Sequence, residues 1–215
     1  MSSSRERSNA VAADYEWIKG DDLFEAYCVT LVRGVTPREF MDRIGAQIKF
    51  DSLPLGDEEY LDEKFSEIFY NDWTDLHGDG EMFIGATTVT GAGGDWTLAV
   101  ERNGYLGMNA TLMASVSAGT TLVSHSYCLG EGYFRWFEDG DLRLEFQAQD
   151  AGDRWGSTPN ACLAEMQQIG FQLDNHREEV GPTNTAAFAL AERLTGVRVT
   201  DDMLYGDTVY LCGTV

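Results

Sequence analysis

Short strand-like segments, separated by glycine-containing turns, fill the middle third of this chain. Between residues 83 and 148 there are five of them, over 83–90, 95–101, 120–128, 132–137 and 141–148. Consecutive strands that are joined by short turns pair antiparallel, whereas parallel strands need long crossover connections. We therefore expect an antiparallel sheet to form the centre of the fold.

Helical segments flank this region on both sides. Thr36, Pro37 and Gly45 have the positions of an N-cap, a first helical residue and a C-terminal stop. Further helices are predicted over 57–70, 108–118, 159–170 and 183–195 and after a cap at Thr200, with a buried strand at 24–33 and a last strand at 207–213. The fold class predicted is α+β: a mainly antiparallel sheet with about five to six helices packed against it.

The length of 215 residues favours one large domain. Residues 1–14 are polar and show no periodicity, so we expect a disordered tail there and a single α+β domain over 15–215. The N-terminal segment lacks the apolar core of a secretory signal, and no apolar run is long enough to cross a bilayer. These features predict a cytoplasmic protein.

The hairpin around Asp139 and Gly140 allows two registers. A two-residue turn pairs Glu138 with Asp141, whereas a three-residue loop pairs Phe137 with Asp141. We predict the three-residue loop because it collects the apolar side chains on one face. That face would hold Phe134, Trp136, Leu142, Leu144 and Phe146, and the opposite face Tyr133, Arg135, Arg143 and Glu145.

The formal net charge of −21 argues against two classes of partner. Nucleic acids and anionic membranes are both bound through clustered lysines and arginines, which this chain lacks. The acids are densest over 57–81, with a single Lys64 among them: Asp57, Glu58, Glu59, Asp62, Glu63, Glu67, Asp72, Asp75, Asp79 and Glu81.

This acidic segment allows three interpretations. The first is a solvated helix face that keeps the protein soluble, the second is a docking surface for a basic protein, and the third is a divalent-cation site. The order of acids in a calcium loop is absent, so we predict no metal. On the docking interpretation, aromatic residues anchor the partner and acids steer it. The predicted partner-binding residues are Tyr70, Asp72, Trp73 and Asp75.

Signatures of catalysis are weak. The turn at 91–94 lacks the Lys-Ser/Thr of a phosphate loop, and the four cysteines are too scattered for a zinc site, so no cofactor is predicted. Ser124 and Ser126 flank His125 in a predicted strand, so both serines point to the face opposite the histidine and cannot pair with it directly. The alternative to protein binding is an enzyme or small-molecule binder, with a pocket lined from the sheet by Trp96, Glu101 and His125.

Four strings in matching order support a family resemblance: YCVTLVRGVTPREF (27–40), FIGATTVTGAGGDWTLAVERNGYLG (83–107), SAGTTLVSH (117–125) and AERLTGVRVT (191–200). Together they resemble an actinobacterial family known only as a domain of unknown function, over about residues 20–204. The resemblance implies one domain and no particular catalytic residues. More loosely, an acidic α+β domain without a catalytic signature is similar to bacterial toxin-immunity proteins. We therefore expect a non-catalytic module, immunity or regulatory in kind, that binds a basic protein.

Overall fold

The computed structural model describes residues 8–20, 26–54, 82–101, 104–174 and 183–215. The helix predicted over 57–70 lies outside these residues. So do the residues predicted to bind a partner, Tyr70, Asp72, Trp73 and Asp75. The site described below is therefore built from other parts of the chain.

Nine strands in the described part of the chain form one antiparallel sheet. They are β1 (Ala26–Arg33), β2 (Gln47–Pro54), β3 (Phe83–Gly91), β4 (Gly94–Glu101), β5 (Thr121–Cys128), β6 (Glu131–Glu138), β7 (Asp141–Gln147), β8 (Asp150–Trp155) and β9 (Val209–Thr214). Their order across the sheet is β2-β9-β3-β4-β1-β5-β6-β7-β8, so the first strand of the chain lies at the centre. The predicted antiparallel sheet and α+β class are confirmed.

Helices cover both faces of the sheet. The described ones are a kinked 3₁₀ segment (Ala12–Gly20), α1 (Pro37–Ile44), α2 (Tyr105–Met108), α3 (Ala110–Val116), α4 (Leu163–Ile169), α5 (Asn184–Thr195) and α6 (Asp201–Tyr205). Helix α1 begins and ends as predicted, because the Thr36 hydroxyl accepts from the Glu39 amide and Gly45 adopts φ 77°. The helix predicted over 108–118 is divided at Asn109, whose side chain caps α3.

Successive side chains of each strand point to opposite faces of the sheet, and each face carries its own hydrophobic core. On β1, Tyr27, Val29 and Leu31 face a core that is covered by α5, α4 and the 3₁₀ segment. We name this side the α5 face. Val32 faces the opposite core, which is covered by α1, α2 and α3 and which we name the α1 face. Cys28 lies on the α1 face as well, because it alternates with Tyr27 and Val29.

The register predicted for the β6–β7 hairpin is wrong. Glu138 pairs with Asp141, so the turn has two residues, Asp139 and Gly140, rather than three. Their φ angles are 48° and 80°, which is the left-handed backbone of a tight hairpin turn. Asp and Gly both tolerate this backbone, and the local turn preference therefore outweighs the apolar pattern that we used to choose the register.

A β-bulge next to this turn restores most of the predicted pattern of faces. Phe137 pairs with Leu142, but Trp136 pairs with Leu144, so Arg143 is an extra residue in β7. Leu142 consequently joins Phe137 on the α1 face, which corrects its predicted position. Phe134, Trp136, Leu144 and Phe146 keep their predicted place on the α5 face, and Tyr133, Arg135 and Glu145 keep theirs on the other. Arg143, predicted with the second group, is the bulged residue, and its guanidinium lies 5.8 Å from the ring centre of Trp136.

The two edge strands are not predicted from the sequence. Strand β2 exposes half of its side chains and buries only Leu53 fully, and register shifts on both sides of Phe50 interrupt the alternation of its apolar residues. Strand β8 falls in a stretch rich in Gly and Asp, a composition typical of loops, and its pairing with β7 is irregular. Edge strands contribute little to a core, which removes the periodicity on which the prediction depends.

Residues 8–14, within the predicted tail, pack against α5. Ala10 and Ala12 are buried in the α5-face core. The buried carboxylate of Glu192 accepts hydrogen bonds from Tyr15 Oη at 2.8 Å and from Ser8 Oγ at 2.7 Å. A single acidic side chain of α5 therefore holds the segment at both ends, which the sequence pattern of the segment itself does not indicate.

Candidate binding site

The structure does not bring the three predicted pocket residues together. Trp96 lies in the α5-face core, where its indole nitrogen donates to the carbonyl of Ala92 at 3.1 Å. His125 also faces α5, since it pairs with Val29. Glu101 pairs with Cys28 and therefore points to the α1 face, where its carboxylate accepts from the Leu106 amide at 3.2 Å. The sheet thus separates Glu101 from the other two.

His125 is a buried, neutral side chain. It is 2 % exposed and its Nδ1 atom shares a 2.9 Å hydrogen bond with the hydroxyl of Tyr27. Burial lowers the pKa of His125 from 6.5 to about 3, because the charged ring would lose its hydration. The ring also contacts Phe188, with centroids 5.7 Å apart. This environment is that of a structural histidine rather than of a general base, which needs a pKa near neutrality.

Three of the four thiols are equally inert. Burial raises the pKa of Cys28, Cys162 and Cys212 to about 12. At neutral pH these side chains are protonated thiols, and only the thiolate is a nucleophile or a metal ligand. Across the described ranges, no three His, Cys, Asp or Glu side chains form a group that could hold a metal ion.

A row of buried polar side chains crosses the α1 face at the position of α2. Glu101, Cys28 and Ser126 are neighbours on β4, β1 and β5. Helix α2 lies directly on this row through Gly107. A Cβ atom there would lie 2.5 Å from Ser126 Cβ and 2.7 Å from Cys28 Sγ, so only glycine fits without displacement. The close approach fixes α2 against the sheet.

A buried ion pair anchors α2 from the side of β6. Arg135 and Glu145 lie opposite each other on β6 and β7, with Nη2 and Oε1 2.8 Å apart and side chains 8 % and 9 % exposed. Arg135 also donates from Nη1 to the carbonyl of Gly107. Its guanidinium lies 5.1 Å from the ring centre of Tyr133. Arg135 therefore connects the sheet with α2 and lies beside the ring of Tyr133.

A cleft lies between α2 and the turn that joins β5 to β6, and we name it the α2 cleft. Its volume is about 290 Å³. Its lining includes Met108, Ser126, Tyr127, Leu129, Glu131 and Tyr133. The hydroxyl of Tyr133 donates to the Glu131 carboxylate at 3.3 Å. The hydroxyl of Ser126 is buried and has no hydrogen-bond partner among the described residues.

Two apolar side chains stand at the mouth of the α2 cleft. Leu129 is 94 % exposed and Met108 is 56 % exposed. Leu129 also has φ 52° and forms a two-residue turn with Gly130, at φ 89°. A bulky residue in the left-handed region costs about 1–2 kcal/mol, and Asn, Asp or Gly is usual in such turns. Leu129 therefore combines almost complete exposure with a backbone conformation that disfavours leucine.

Comparison with protein families agrees with the sequence resemblance. A family model matches residues 8–215. The chain belongs to a family of unknown function (DUF6461). The match extends beyond the resemblance on both sides, to the segment that packs on α5 and to β9. Comparisons with curated proteins and with solved structures find no match.

No helix in the described part of this DUF6461 chain is long and apolar enough to cross a membrane. The longest is α5, of 12 residues, and it is covered by the 3₁₀ segment on one side and the sheet on the other.

We expect Leu129→Asn to stabilise the protein by about 0.5–1 kcal/mol. Asparagine adopts the left-handed backbone readily, and the leucine side chain is too exposed for its removal to leave a cavity. Urea denaturation measures the change. The control is Asp139→Asn in the other tight turn, where the native residue already tolerates φ 48° and little change is expected. A loss of stability in Leu129→Asn would show that Leu129 has a structural role.

Proposed function

We propose that the protein is a non-catalytic binding protein, and that it recognises a basic protein partner through the α2 cleft and its exposed apolar rim. The observation that carries the proposal is the pair of exposed side chains, Leu129 and Met108, beside a preformed cleft. Exposed apolar side chains around a concave site are typical of protein-binding surfaces, and a few such residues supply most of the binding energy.

The chemistry of the buried groups supports binding rather than catalysis. His125 has a pKa of about 3 and is therefore neutral at pH 7. The thiols of Cys28, Cys162 and Cys212 have a pKa of about 12 and are therefore protonated at pH 7. Glu145 is committed to Arg135 within the sheet. Among the described residues, none of these groups combines a reactive protonation state with a place for a substrate.

The charge of the chain supports a basic partner. A net charge of −21 accelerates encounter with a positively charged surface and disfavours acidic partners. In this proposal, Asp72 and Asp75 contribute to steering, and Tyr70 and Trp73 remain predicted anchors outside the described residues. An immunity or regulatory protein would act in this way, by covering a basic surface of the protein that it controls.

The test compares proteins retained from a lysate of the native host by immobilised wild type and by Leu129→Asn, at low and at high salt. We expect a partner that is retained by the wild type at low salt and lost at high salt. Removal of a central contact residue should weaken retention roughly 5- to 30-fold, which corresponds to about 1–2 kcal/mol. Because Leu129→Asn is expected to fold at least as stably as the wild type, weaker retention reports the loss of a contact.

The matched control is Val209→Asn on β9, which is also an exposed apolar residue and is separated from β5 by several strands. This variant should retain the partner as the wild type does. Equal retention by Leu129→Asn and the wild type would refute the assignment of the binding surface. Failure of the wild type to retain any protein at low salt would refute the proposed function.

A small-molecule ligand is the second candidate, and the volume of the α2 cleft favours it. Sites for small organic ligands begin at about 300 Å³, close to the volume observed. The residues involved would be those of the cleft rather than Trp96, Glu101 and His125. A rise in the thermal unfolding midpoint with a metabolite, absent in Leu129→Asn, would support this candidate.

A further inference from the structure

We infer that the α2 cleft receives a lysine side chain of the partner protein, an inference that rests on the proposed function. The size of the cleft is the first argument. At about 290 Å³ it lies at the lower limit of ligand sites, which suits a single side chain better than a folded element or a large ligand.

The apolar walls suit the stem of a lysine. Met108 and Leu129 flank the mouth, and Tyr133 also lines the cleft. Lysine buries its four methylene groups along apolar surfaces while its ammonium group remains near water or a polar partner. Contact with the stem also explains why two exposed apolar residues are placed at the entrance.

The polar end of the cleft suits a cation. Glu131 is exposed at the rim and forms no ion pair with the residues that the structure describes. Arg135, whose guanidinium lies 5.1 Å from the ring centre of Tyr133, is neutralised by Glu145 at 2.8 Å. The carboxylate of Glu131 therefore provides a negative potential at the cleft that no adjacent side-chain cation in the described set offsets.

Lysine fits the acceptors better than arginine does. The carboxylate of Glu131 and the hydroxyl of Tyr133 offer oxygen atoms from two separate side chains of the cleft, whereas the Ser126 hydroxyl is buried beneath Gly107. An ammonium group carries three donors that rotate to meet separate acceptors. The planar guanidinium of arginine is best matched by paired acceptors in one plane, and the Glu131 carboxylate already accepts from Tyr133.

The experiment titrates the isotope-labelled protein with three blocked tripeptides, Gly-Lys-Gly, Gly-Arg-Gly and Gly-norleucine-Gly, and follows backbone amide signals by NMR. Norleucine has a straight apolar side chain without the ammonium group. We expect saturable shifts at Ser126, Leu129 and Glu131 with the lysine peptide, at lower concentration than with the other two. Glu131→Gln should weaken binding of the lysine peptide by about two- to fivefold, as expected for one exposed ion pair.

The matched control is Glu138→Gln, at the other end of β6, which should bind the lysine peptide as the wild type does. Equal binding of the norleucine and lysine peptides, or stronger binding of the arginine peptide, would overturn the inference. Unchanged affinity in Glu131→Gln, or no shift of the lining residues with any peptide, would overturn it as well. The proposed function is judged separately, by retention of the partner on Leu129→Asn.

Discussion

Arg135→Ala is expected to lower the free energy of unfolding by about 3–5 kcal/mol, the usual cost of breaking a buried ion pair on one side. The substitution leaves the Glu145 carboxylate buried without its cation. It also removes the donor to the Gly107 carbonyl, so that α2 loses its anchor on β6. Urea denaturation at neutral pH measures the effect, and the NMR signals of the cleft residues should shift because α2 forms one wall.

Two further variants distinguish a buried pair from ordinary side-chain loss. The double substitution Arg135→Met with Glu145→Leu should cost much less than either single alanine variant, because no charge remains buried. Arg143→Ala is the half-buried counterpart: its nitrogens lie 3.7 Å from the exposed carboxylates of Glu138 and Asp141, and we expect a loss of about 1 kcal/mol. Additive losses in Arg135→Ala and Glu145→Ala would contradict a coupled pair.

His125 should make the protein less stable as the pH falls below about 6.5. The pKa of His125 is about 3 in the folded protein and 6.5 in an unfolded chain, so the unfolded chain binds the proton first as the pH falls. Between pH 7.5 and 4.5 this difference removes about 2–3 kcal/mol of stability, at about 1.4 kcal/mol per pH unit once the unfolded ring is protonated. Denaturation curves at several pH values measure the trend.

The control for this pH dependence is His125→Gln, which keeps a polar side chain beside Tyr27 and cannot titrate. Its stability should be lower than that of the wild type at pH 7.5 and should fall less steeply toward pH 4.5. The difference between the two slopes isolates His125 from the acidic groups, which titrate in both proteins. Identical slopes would show that the folded protein accommodates the charged ring.

Local signals in the sequence predict the fold wherever a single segment determines the structure. The N-cap Thr36 and the left-handed Gly45 set both ends of α1, and Thr200 caps α6 by accepting from the Met203 amide. A continuous apolar run identifies β1 because both of its faces are buried. The edge strands β2 and β8 have no such run, since half of the side chains in each are exposed.

The site is harder to predict because it depends on registers between strands. The relative position of Glu101 and His125 follows from the pairing of β4, β1 and β5, and this pairing places the two side chains on opposite faces of the sheet. The α2 cleft depends on Gly107, whose role follows from atoms of β1 and β5 that are distant in sequence. One signal was present: Leu129-Gly130 separates two strand segments, and leucine is unusual in a two-residue turn.

The central position of β1 has a consequence for how the chain acquires its structure. Its neighbours in the sheet, β4 and β5, follow roughly 60 and 90 residues later in the chain. Pairing strands across such long loops is slow, whereas the β6–β7 hairpin closes a short loop and forms fast. Until they arrive, both hydrogen-bonding edges of an apolar strand are open to other chains. Overproduction at elevated temperature should therefore favour inclusion bodies, and slower synthesis in the cold should improve the yield of native protein.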